Sequence, residues 1–157
     1  MKRLSYILVA VTAVVAMLIF GTKASKGSQD DRVDFMPGFC PNTLNIDKKG
    51  VFHVAIANVG SGTLNNSAVR LNGVLVSPIS SSFLDQSRPY GVQPASDCTT
   101  CNGGPDGNTD LILKFDTQTV VNAIGGSWSN GNCVPVCLQT NLGSGCDYLR
   151  ILANRKP

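Results

Sequence analysis

Glutamate is missing from this 157-residue chain, so all 10 acidic residues are Asp. A protein without Glu, and without runs of Ala or Lys, lacks the residues that stabilise helix surfaces, which disfavours a helical bundle. It also lacks the bidentate last ligand of a helix-loop-helix calcium site. Histidine occurs once, at position 53, and charged residues make up only 15% of the chain. A single imidazole inside a strand pattern is a poor basis for general acid–base chemistry. Ser61 and Ser144 lie between glycines but outside any Gly-x-Ser-x-Gly elbow, so no residue is assigned a catalytic role. No cysteine directly follows the N-terminal apolar run, which argues against a lipoprotein anchor, and the chain has no internal repeat.

What the chain does have begins with Lys2 and Arg3, an uncharged apolar stretch over residues 4–20, and small residues Thr22 and Ala24. Residues 1–24 read as a secretory signal, with an uncleaved membrane anchor as the alternative. Residues 25–32 read as a polar tether and 33–157 as one domain. Without residues 1–24 the remaining 10 basic and 10 acidic residues cancel. A neutral chain argues against nucleic acid as partner and leaves membrane contact only to residues 4–20, should they stay attached. The expected location is therefore extracellular, cell-surface or periplasmic.

Export decides how the six cysteines are read, since an even number in an oxidising compartment implies disulfides, although six permit 15 pairings. Cys137 and Cys146 sit near the facing ends of a predicted hairpin, and elimination then pairs Cys98 with Cys101 and Cys40 with Cys133. A redox role for Cys98-x-x-Cys101 would need a helix start that Asn102-Gly103-Gly104-Pro105 cannot supply. A zinc site built from Cys98, Cys101, Cys133 and Cys137 is the other arrangement their spacing allows.

Short strands separated by turns account for most of the domain. Residues 33–36 and 43–46 are predicted strands, and 51–58 is the clearest, with Phe52, Val54 and Ile56 alternating on one face. Asn72-Gly73 between apolar flanks predicts a hairpin joining 68–71 to 74–76. Residues 78–108 read as a long connection, followed by a strand at 111–115. One short helix is expected from an Asp116 or Thr117 cap to Ile124, stopped by Gly125-Gly126, with a closing hairpin from 134–140 and 148–152. Seven or eight such strands predict an all-β chain, an antiparallel immunoglobulin-like β-sandwich with disulfide staples.

The motifs Val33-Asp34-Phe35-Met36-Pro37-Gly38, Lys49-Gly50-Val51, Val69-Arg70-Leu71-Asn72-Gly73, Asp106-Gly107 with Asp110-Leu111, Lys114-Phe115-Asp116 and Gly145-Cys146-Asp147 follow one another in order. This string resembles a group of bacterial secreted modules with an LNG hairpin and an Asp/Asn/Gly loop. The resemblance implies an immunoglobulin-like sandwich and a role in surface or extracellular proteins, often beside other domains. It also implies a calcium-type loop, for which Asn102, Asp106, Asn108 and Asp110 are the candidates here. Gly104 stands at a position where that loop normally carries a ligand, so the loop has two readings: a weak Ca²⁺ site, or a metal-free turn holding its own backbone.

Trp128 and Tyr90 lie in polar, loop-like settings and are the candidate ligand contacts. The functional expectation is a non-enzymatic interaction or structural module of the cell envelope or extracellular space. Its partner would be a protein or a polysaccharide at the cell surface. The alternative is a small carbohydrate-binding module, and an enzyme ranks third.

Overall fold

Alternation of large apolar residues builds the central strands. In β3 (Val51–Ile56), Phe52, Val54 and Ile56 point inward and meet Phe115, Leu113 and Leu111 of β7 (Asp110–Asp116). The computed structural model describes residues 32–87, 98 and 104–153. The expected signal segment 1–24, residues 25–31 of the tether, Tyr90, Cys101 and Asn102 lie outside these.

The other strands are β1 (Val33–Phe35), β2 (Thr43–Asn45), β4 (Arg70–Leu71), β5 (Val74–Leu75), β6 (Ser80–Leu84), β8 (Cys133–Gln139) and β9 (Ser144–Leu152). They form a four-stranded sheet, β1-β3-β7-β6, and a five-stranded sheet, β2-β9-β8-β4-β5, which curls as a half-barrel. The chain is thus mostly β. Inward residues of both sheets share one core, Phe52 and Phe115 of the first and Val134, Val136, Leu149 and Ile151 of the second belonging to the same buried cluster. Burying each of the larger side chains stabilises the fold by roughly 1.5–3 kcal/mol.

The helix and the tight hairpin follow their sequence signals closely. Helix α1 (Thr117–Ile124) starts where the Asp116 carboxylate accepts the N–H groups of Gln118 and Thr119, and ends at Gly125, whose φ is 63°. Its buried face, Val120 and Ala123, joins the shared core. Asn72 and Gly73 take positive φ of 47° and 80° between β4 and β5, as a two-residue loop requires. Asn72 also clasps β8, because its side-chain oxygen accepts the Cys137 N–H while its own N–H donates to the Cys137 carbonyl.

Three expectations are corrected. The supposed connection from 78 to 108 contains β6, which pairs antiparallel with β7. Its Ser-Ser-Ser-Phe-Leu sequence has little to bury, so backbone bonds to β7 hold it. The architecture is not wholly antiparallel, since β2 runs parallel to β9 with Leu44 opposite Ile151. Finally, Cys98 bonds Cys133, replacing the expected Cys98–Cys101 and Cys40–Cys133 pairs, while Cys40 is itself disulfide-bonded. Close spacing in sequence did not identify partners, because pairing depends on how the chain directs each Cβ, and Cys98 and Cys133 have Cα atoms 5.7 Å apart.

The Cys137–Cys146 bond forms as the hairpin pattern predicts, with the two residues directly opposite each other in β8 and β9. It closes a loop with a sequence separation of 9. Replacing both by Ser is expected to lower unfolding stability by about 2.5 kcal/mol on the chain-entropy estimate. Urea unfolding under non-reducing conditions measures it, and an unchanged midpoint would show that the hairpin is held without its staple.

Candidate functional site

The Asp/Asn loop approaches β7 from an exposed turn, and its carboxylates take different positions. Asp106 is exposed, and its Oδ1 accepts both the backbone and side-chain N–H of Asn108, a local turn held by its first residue. Asp85, at the end of β6, accepts the N–H groups of Asp106 and Gly107. Asp110 is fully buried. One of its oxygens accepts the Asn58 N–H and the other accepts those of Gln86 and Ser87, so this single carboxylate joins the segments following β3 and β6. The two carboxylates thus make separate sets of hydrogen bonds, Asp106 within its own turn and Asp110 with the segments that follow β3 and β6. Among the described residues, no three His, Cys or Asp side chains form a group that could hold a metal ion.

Asp110 is linked through Ser87 to a network of buried acids that no local motif announces. Asp34 in β1 and Asp147 in β9 are both nearly inaccessible. Asp147 Oδ2 accepts the Phe35 N–H at 3.0 Å and the Asn42 side-chain N–H at 2.7 Å, connecting the two sheets. Asp34 accepts the Ser87 hydroxyl at 3.3 Å, and Ser87 in turn donates its backbone N–H to Asp110. Burial pushes the Asp34 carboxyl up to about 7, reinforced by the negative charge of Asp147 and more weakly by that of Asp110. Hydrogen bonds from Ser87 and Asn42 oppose the shift without cancelling it. The sequence did carry a signal for Asp147, which lies in phase with the inward residues Leu149 and Ile151 of β9.

The remaining candidates separate clearly. Trp128 packs partly buried against the core, and its indole N–H donates to the Gly125 carbonyl, so its polar edge is used within the chain. His53 faces Lys114 across the β3–β7 pair, and partial burial followed by that neighbouring cation lowers its pKa.

Exposed apolar residues concentrate elsewhere, along the stretch from β5 to β6. Val74, Leu75, Ile79, Phe83 and Leu84 are all exposed, Ile79 to 61% and Leu75 to 54%. Strand β6 ends its sheet, with β7 on one side and no strand on the other among the described residues. Between Ile79 and Leu84 there is neither a charge nor a proline to discourage pairing with another strand. Comparison with protein families, with characterised proteins and with solved structures finds no match to this chain.

Proposed function

We propose that the chain is an exported, non-enzymatic interaction or structural module of the cell envelope or extracellular space that associates with protein through the edge of β6. The observation that carries this reading is the uncharged edge of β6, which has no strand beyond it among the described residues and is flanked by Ile79, Phe83 and Leu84. An exposed strand edge offers backbone donors and acceptors to an incoming strand, and the apolar residues beside it supply area to bury. Disulfides support an oxidising, extracellular or periplasmic setting. We read the two sheets on one core as an immunoglobulin-like sandwich, in keeping with the resemblance of the ordered motifs to secreted bacterial modules.

Light scattering coupled to size-exclusion chromatography tests the reading. The wild-type chain should self-associate as concentration rises, and Ile79→Lys with Phe83→Lys should restore a monomer while shifting stability by less than about 0.5 kcal/mol per substitution. A wild-type chain that stays monomeric throughout, and gives no cross-link to an envelope protein from a photoreactive residue at position 83, removes the reading.

A further inference from the structure

A second edge with no strand beyond it among the described residues is that of β2, at the opposite margin of the five-stranded sheet from β5. The Arg150 N–H donates to the Asn42 carbonyl and the Ile46 N–H to the Leu152 carbonyl, so the even-numbered residues of this segment direct their backbone groups toward β9. Thr43 and Asn45, at the odd positions of β2, consequently direct theirs away from it. Both line a cleft of about 320 Å³, whose floor includes Leu44, Phe52 and Leu152 and whose rim carries Lys48 and Lys49. That volume is at the small end of the range for ligand sites.

The rim is fixed before any ligand arrives. The Gln118 side-chain N–H groups donate to the carbonyls of Ile46 and Lys48, the Thr117 N–H to that of Gly50, and the Lys48 N–H to that of Asn45. A turn held in this way loses little further freedom on binding. Met36, on another wall, has φ of 60°, a left-handed conformation uncommon for a residue with its side chain. Among the described residues no acid lines the cleft; Asp47, beside Lys48 in the rim turn, is not part of its lining, and the Asp116 carboxylate is occupied in capping α1.

We infer that this cleft binds an extended acidic peptide segment of a partner protein, which adds to the open edge of β2, places an apolar side chain on the cleft floor and pairs a carboxylate with Lys48 and Lys49. The three features select the occupant together. Two lysines without a lining acid favour an anion, and the apolar floor favours a side chain beside it. Outward N–H and C=O groups on Thr43 match the two bonds that a residue of an added antiparallel strand exchanges with its neighbour.

The test uses the full chain and a library of short peptides carrying Asp or Glu at a fixed position, compared with the same peptides carrying Asn or Gln, by fluorescence anisotropy. Acidic members should bind preferentially and shift the NMR amide signals of Thr43 and Asn45. Methylating alternate backbone nitrogens of a bound peptide should weaken it about tenfold, and Lys48→Glu with Lys49→Glu should do the same while leaving the melting temperature in place. Absence of an acidic preference overturns the inference, as does equal binding of the N-methylated peptides. Binding of decanoate in place of peptides, with the Thr43 amide unmoved, would also overturn it and assign the cleft to small amphiphiles. Repeating the titration with the Ile79→Lys/Phe83→Lys chain separates this site from the β6 edge, so either can fail alone.

Discussion

The protein should melt at a lower temperature near pH 8 than near pH 5, with the loss concentrated between the two pKa values of Asp34. In the unfolded chain this carboxyl ionises around its ordinary value of 3.8, whereas in the folded chain it keeps its proton to about 7. Across that interval the folded state binds the extra proton, so each rise in pH favours unfolding. The stabilisation is complete below the unfolded pKa, falls away as pH rises through the folded one, and amounts to about 4 kcal/mol at most. Asp34→Asn removes the ionisation while leaving an oxygen to accept the Ser87 hydroxyl, and should flatten the slope and stabilise the chain above neutral pH. His53 acts with the opposite sign, since its lowered pKa disfavours the folded state when it is protonated, but it is largely solvent-screened. Calorimetric melts of both chains across this range decide the matter, and an equal slope in Asp34→Asn would assign it to other groups.

Asp110→Ala is expected to cost about 4 kcal/mol, because it leaves the Asn58, Gln86 and Ser87 N–H groups without their charged acceptor. Asp106→Ala, at an exposed turn, should cost less than about 1 kcal/mol. Urea unfolding of the two variants makes the contrast, and similar midpoints would show that Asp110 does not brace the loop. A second readout follows from charge. Asp110→Asn should also reduce the pH slope attributed to Asp34, since the Asp110 carboxylate is one of the charges raising that pKa.

Local signals were legible where a single stretch of chain determines the outcome. Phe52, Val54 and Ile56 declared β3 by their alternation, Asp116 and Gly125 bracketed α1, and Asn72-Gly73 declared its turn. Strand β6 was not legible because its Ser80–Leu84 side chains are mostly exposed, and its structure comes from bonds to β7. Periodicity also carries no direction, so nothing in Thr43–Asn45 announced a parallel neighbour more distant in sequence than any other. The Asp/Asn loop was visible as a motif, yet the roles of its carboxylates depended on Asn58, Asp85 and Ser87, which only the fold brings close. Asp147 showed its inward phase in β9, but the roles of Asp34 and Asp147 were hidden for the same reason. Their partners are assembled from β1, β9 and Asn42, whose proximity exists only after the sheets meet.

The parallel pairing of β2 with β9 joins the first strand of the five-stranded sheet to the last strand among the described residues. During synthesis, Thr43–Asn45 emerges long before Arg150–Leu152, and its only strand neighbour among the described residues does not yet exist. Completion of the core must therefore wait for the C-terminal segment, a long-range closure of the kind that slows folding. A chain cut short before Arg150 therefore lacks the residues that pair with Thr43, Leu44 and Asn45, and β2 is left without its partner strand among the described residues.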